Sequence, residues 1–127
     1  MKVKVEKTTN GYSAHFNYKE HLITAVADTY SELKKSMTDA VMFAAEDYEN
    51  PAKQKLLALK LEFILDIPAF FDLFPTINQS GFAKFLGING SLLRQYAKGL
   101  KEPSAKRSEE ILQGVRRLGM LYSEVQF

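Results

Sequence analysis

Apolar and polar positions alternate from the start of the chain: Val3 and Val5 fall on one side and Lys2, Lys4 and Glu6 on the other, the period of a strand with one covered face. Asn10-Gly11 follows, a dipeptide that tolerates the positive φ angles of a tight hairpin, and Tyr12, Ala14 and Phe16 resume the alternation. The apolar run from Leu22 to Ala27 predicts a third strand. At Thr29-Tyr30-Ser31-Glu32 the threonine hydroxyl can cap a helix while the glutamate reaches back to it. Leu33, Met37, Ala40, Val41, Ala44 and Tyr48 then recur at helical spacing, and Asn50-Pro51 should end that helix. Beyond it Leu57, Leu59, Leu61, Phe63 and Leu65 alternate with Ala58, Lys60, Glu62, Ile64 and Asp66, which predicts a fourth strand. A helix running from Pro51 competes with it, because leucine, lysine and alanine are good helix formers.

After Asp66 the pattern becomes one of short helices. Ile67 to Phe74 forms one; Asn78 opens a second; a glycine-containing turn and a helix closed by Gly99 follow. Ser104 can cap a last helix, with Ile111, Leu112, Val115 and Leu118 on one stripe and Gly119 beyond it. The fold class expected is therefore α+β: a small βββαβ sheet domain over residues 1–66, then an all-α domain over residues 67–127.

Composition narrows what this fold can do. With 46% hydrophobic and 25% charged residues the 127-residue chain reads as ordinary globular protein, not as disordered, collagen-like or coiled-coil sequence. It has no cysteine, which removes disulfides, thiolate metal ligation and a cysteine nucleophile. No stretch approaches the roughly 20 apolar residues of a membrane span, and the expected location is cytoplasmic. The formal net charge is only +2, but it is unevenly spread. Met1 to Lys60 carries 9 basic and 8 acidic residues, whereas Gln79 to Arg107 carries 6 basic residues against Glu102 alone.

That basic segment, QSGFAKFLGINGSLLRQYAKGLK, is patterned as two helices around a tight turn. Phe82, Ala83 and Leu86 form the inner face of the first; Gly87 can take the left-handed conformation that ends it, and Ile88 plugs the turn. Asn89 caps the second helix, in which Leu93, Tyr96 and Ala97 point inward and Ser91, Arg94, Gln95 and Lys98 point outward. Arginine can donate two hydrogen bonds to guanine, glutamine can pair bidentately with adenine, and serine can donate or accept. Lys84, Lys98 and Lys101 suit phosphate contacts, Gln79 at the head of the segment is a further DNA-binding candidate, and Gly90 leaves room for close backbone approach. Leu92 can serve either the core or a thymine methyl contact. The competing reading is a plain helical hairpin with a solvated basic face.

The stretch GINGSLLRQYAKGLKEPSAKRSEEILQGVRRLG resembles the C-terminal helix-turn-helix, of the Cro/repressor-like class, carried by HicB-type antitoxins. In the first half NGYSAHF, a third strand and ADTYSELKKSMTDAVMFAAED are similar to the HicB degraded RNase H-like domain, with its GY-containing hairpin and DT-E helix start. The third strand, NYKEHLITAVADT, departs from the family in lacking its proline-glycine and the glycine before DT. The resemblance implies an antitoxin that neutralises a small HicA-type ribonuclease toxin through its N-terminal domain. It also implies operator binding through the C-terminal domain, with autoregulation, and a homodimer or larger assembly. The tail from Met120 to Phe127 can add to that contact or simply pack.

Catalysis is not expected. A nuclease site in an RNase H-like fold needs clustered carboxylates, and the first 27 residues offer only Glu6 and Glu20. His15 and His21 lack companion ligands and read as strand-surface side chains, and Met37, Met42 and Phe43 as core or interface filler. Glu46, Asp47 and Glu49 form an acidic helix end that can be a solvated terminus or can meet a basic toxin. No cofactor is implied. Two other functions fit the same residues: a stand-alone helix-turn-helix transcriptional regulator with an N-terminal dimerisation or ligand-binding domain, and a binding module without DNA affinity.

Overall fold

The computed structural model describes all residues from Met1 to Phe127. It is α+β, a four-stranded mixed sheet with six helices, and divides into two compact units, Met1–Ala69 and Phe70–Phe127. In chain order the elements are β1 (Lys2–Lys7), β2 (Tyr12–Tyr18), β3 (His21–Ala27), α1 (Tyr30–Ala45), α2 (Ala52–Leu57), β4 (Glu62–Leu65), α3 (Ile67–Leu73), α4 (Gln79–Leu86), α5 (Gly90–Ala97) and α6 (Ala105–Ser123).

In the first unit the strands lie in the order β3-β2-β1-β4. β1 and β2 pair antiparallel with Lys7 opposite Tyr12, β2 and β3 antiparallel with Tyr18 opposite His21, and β1 and β4 parallel with Val3 opposite Phe63. The period-two pattern puts Val3, Val5, Tyr12, Ala14, Phe16, Ile23 and Ala25 on one buried face. α1 covers that face with Leu33, Met37, Val41 and Ala45, a row of i, i+4 positions of which Leu33 and Met37 are fully buried. Each large aliphatic side chain so buried is worth about 1.5–3 kcal/mol. The Thr29 hydroxyl accepts a hydrogen bond from the Glu32 N–H at 3.2 Å, so the expected cap forms. The opposite sheet face, with Lys2, Lys4, Glu6, Thr24 and Ile64, is open.

Three local expectations are corrected. First, α1 ends at Ala45 and not at Asn50-Pro51. Its buried row is spent there, and Tyr48 leaves the helix to meet the β2–β3 turn, edge-on to Tyr18 at 5.6 Å with its hydroxyl bonded to His21 Nδ1. Of the three residues expected as core or interface filler, Met37 is in the core, while Met42 and Phe43 are exposed on α1 and are not core. Second, the run from Leu57 to Asp66 is not one strand. Helix-forming residues carry α2 through Leu57, with Leu56 fully buried, and β4 keeps only the four residues that pair with Lys2 to Val5. The topology is βββααβ.

Third, neither Asn10 nor Gly11 has a positive φ; the residue in the left-handed region is Lys19, at φ 53°, in the two-residue turn between β2 and β3. Gly11 is needed for a different reason. The Thr8 N–H bonds to its carbonyl at 2.9 Å across a four-residue β1–β2 connection, and a Cβ on Gly11 would collide with the Ala27 carbonyl oxygen and Asp28 Cα. Backbone cannot swing aside as a side chain can, so Gly11→Ala is expected to cost about 1–3 kcal/mol in urea denaturation.

At the end of β4, Asp66 Oδ1 accepts the Ala69 N–H at 2.8 Å and the Lys7 N–H at 3.4 Å, tying the start of α3 to β1. Partial burial raises its carboxyl above the ordinary 3.8, and the two amide hydrogen bonds, which favour the ionised form, offset only part of this. The folded state therefore holds this proton more tightly than the unfolded state, and stability from this group falls as pH rises from 3.8 through the raised value. Asp66→Asn, which keeps an acceptor but cannot ionise, should flatten the stability profile over that interval; parallel urea midpoints for the two proteins would contradict the assignment.

Candidate nucleic-acid interface

The second unit is built on local cap signals that form at the starts of α4, α5 and α6 and at the ends of α4 and α5. Asn78 accepts the Gly81 N–H at 2.9 Å at the start of α4, Asn89 accepts the Leu92 N–H at 3.2 Å at the start of α5, and Ser104 accepts the Arg107 N–H at 3.1 Å at the start of α6. Gly87 closes α4 at φ 73°, and the Ile88 N–H bonds to the Ala83 carbonyl at 2.9 Å, a left-handed cap that turns the chain in two residues. Gly99, at φ 74°, does the same after α5, and the Leu100 N–H bonds to the Gln95 carbonyl at 3.0 Å.

Packing then fixes how α5 is rotated. Leu93 is fully buried and Tyr96 is 5% exposed, and Phe82 and Ala83 of α4, Ile88 of the turn and Ile111 of α6 are buried in the same unit. Phe71 meets Phe82 edge-on at 6.1 Å. Gly114 is buried in α6, where any Cβ would overlap the Leu86 side chain, so α6 comes close to α4. This corrects the expected α6 stripe: Ile111 and Gly114 are buried and Val115 and Leu118 half-buried, while Leu112, one residue past Ile111 and so about 100° round the helix, is exposed. α6 also runs past Gly119 to Ser123, leaving Met120, Leu121 and Tyr122 exposed. Ala97, expected to point inward, is half-buried.

With Leu93 and Tyr96 inward, Ser91, Arg94, Gln95 and Lys98 are all exposed on α5. Lys84 near the end of α4 and Lys101 after Gly99 are exposed too, and Gln79, Gly90 and Leu92 are half-buried. Arg94 is the best organised of these. Its Nη1 donates to Ser80 Oγ at 3.3 Å and its Nη2 to Ser91 Oγ at 3.2 Å. The guanidinium lies beside Gly90, where an added Cβ would come within 3.3 Å of Nη1. It is thus held across the first turns of α4 and α5. Two of its five N–H donors serve the serines, which leaves donors for an outside acceptor.

Ser80 is the residue that sequence reading missed. It stands 14 positions before Arg94, and only the crossing of α4 over α5 brings them together. The acidic group Glu46, Asp47 and Glu49 is exposed just after α1 in the first unit, the first two in a turn and Glu49 in irregular chain, and not in a helix. His15 pairs with Thr24, so the register puts His15 and His21 on opposite faces of the sheet and they do not form a site together. No group of three or more His, Cys, Asp or Glu side chains stands together with metal-holding geometry. No helix is long and apolar enough to cross a membrane.

Comparison with known proteins gives no match: no family model, no curated protein and no solved structure matches the chain.

Proposed function

We propose that the chain is a DNA-binding antitoxin of HicB type: its C-terminal unit, a helix-turn-helix, reads an operator, and its N-terminal unit, a partial RNase H-like domain, neutralises a small HicA-like ribonuclease toxin. The observation that carries the DNA half is the exposed polar edge of α5, Ser91, Arg94, Gln95 and Lys98, held outward by the burial of Leu93 and Tyr96. An α-helix fits the major groove of B-form DNA, where arginine and glutamine distinguish guanine and adenine by paired hydrogen bonds. Arg94, already fixed by Ser80 and Ser91, gives up little rotamer freedom on meeting a base. Lys84, Lys98 and Lys101 supply charge for phosphate, which adds affinity at any sequence. Gln79, in the first turn of α4, and Gly90 join the interface as a phosphate contact and a point of close approach.

The toxin half rests on the resemblance of the first unit. Glu46, Asp47 and Glu49 form its acidic surface for a basic partner. On this reading the protein is cytoplasmic, not an enzyme, needs no cofactor, and binds its operator as a homodimer or larger assembly. The stand-alone regulator differs in one outcome: a short basic protein from the adjacent gene is toxic alone and harmless beside an antitoxin, but not beside a regulator.

Arg94→Ala with Gln95→Ala should remove preference for the chain's own upstream DNA in a gel-shift titration, each contact being worth about 1–3 kcal/mol of discrimination. Toxin neutralisation should be unchanged, and full operator affinity in the double variant would refute the α5 assignment. Lys101→Ala should weaken all DNA alike and lower the slope of log K against log salt by about one. An unchanged slope would remove Lys101 from the phosphate contacts.

A further inference from the structure

Two turns of the second unit share one backbone design and end differently. After α4 the left-handed Gly87 is followed by Ile88, whose N–H bonds to the Ala83 carbonyl; after α5 the left-handed Gly99 is followed by Leu100, whose N–H bonds to the Gln95 carbonyl. The glycine N–H groups match as well, Gly87 bonding to the Lys84 carbonyl and Gly99 to that of Tyr96. A cap of this kind sets the side chain after the glycine beside the helix residue whose carbonyl it bonds, and an apolar contact between the two frequently accompanies it. The first turn follows that rule: Ile88 and Ala83 are both buried, 8% and 1% exposed. In the second the partner is Gln95, a polar side chain exposed on α5, and Leu100 stays 75% exposed. The same geometry that buries Ile88 thus holds a large apolar side chain on the outer edge of α5.

A single exposed leucine is ordinary on a protein surface; the place of this one is what counts. Leu100 stands between Lys98 and Lys101, both exposed, and next to Gln95, so it interrupts the basic, hydrogen-bonding edge that would meet DNA. A phosphate oxygen or a polar base edge loses water to a leucine and gains no hydrogen bond in return. The one methyl group in the major groove is the C5-methyl of thymine. An A·T pair presents the N7 and N6 of adenine beside that methyl, so a glutamine and a leucine held together match its two halves, or those of neighbouring pairs. Leu92, the other leucine able by sequence to meet a thymine methyl, is half-buried in the first turn of α5 and has less surface to offer.

We propose that Leu100 is a specificity-determining residue that covers a thymine C5-methyl beside the base read by Gln95, a role that rests on the DNA reading of α5. The test is a gel-shift titration of the full chain on its own upstream DNA, made once with thymine and once with deoxyuridine throughout, which removes every C5-methyl and keeps every hydrogen-bonding group. The wild-type protein should bind the uracil DNA about fourfold more weakly for each methyl that Leu100 covers. Leu100→Ala should bind the thymine DNA more weakly by that same factor, lose nothing further on the uracil DNA and keep the wild-type salt slope. Leu100→Met, apolar and similar in size, should restore the wild-type ratio between the two DNAs, and Lys101→Ala should leave that ratio unchanged. Three results would overturn the assignment of Leu100 while α5 remains the reading helix: a wild-type protein that prefers its upstream DNA but binds both forms equally, a full uracil loss persisting in Leu100→Ala, or a uracil loss that Leu92→Ala removes and Leu100→Ala does not. A wild-type protein with no preference for upstream over unrelated DNA would overturn the DNA reading and this role together.

Discussion

Leu93 and Tyr96 are three residues apart on an eight-residue helix, and their burial leaves α5 a single orientation. A helix this short has no stability of its own in water and is held by packing on one side. What is buried therefore decides what is presented: with those two side chains inward, Ser91, Arg94, Gln95 and Lys98 have nowhere to go but outward. The same one-sided burial shapes the first unit. α1 gives one i, i+4 row to the sheet, the sheet gives one face to α1, and the second face and one edge stay open.

Arg94 illustrates how a surface side chain becomes ordered without being buried. Its two serine partners come from different helices, and the glycine beside it supplies the space for the guanidinium. Exposed hydrogen bonds of this kind add little to stability, but they limit the rotamers a long side chain samples before it meets a ligand.

Both ends of the sheet show how connections govern what an edge can do. β4 is limited to four residues because it pairs only with Lys2 to Val5, and Asp66 then fastens the next helix to Lys7. β3 is released from such limits by the two-residue turn at Lys19-Glu20, which feeds a full seven-residue strand onto the outside of the sheet. Gly11 matters here too, since its missing side chain lets the β1–β2 connection lie against the end of β3.

Local grammar alone gave the first three strands, the Thr29, Asn78, Asn89 and Ser104 caps, the left-handed Gly87 and the inward Leu93 and Tyr96. Each depends on residues within a turn or two of one another, where period and hydrogen-bonding reach are fixed by backbone geometry. Tertiary structure decided the rest. The end of α1, the length of β4 and the burial of Gly114 over Leu112 depend on what stands opposite, which no short window contains. Gly11 was legible as a turn residue, but its requirement comes from the Ala27 carbonyl of a different strand. Ser80 joins the Arg94 site only because α4 and α5 cross, and the unpaired edge of β3 exists only because the sheet order puts it last. Periodicity tells a chain which of its faces to bury; the partners met by those faces, and so the surfaces left over, are set by contacts between residues far apart in sequence.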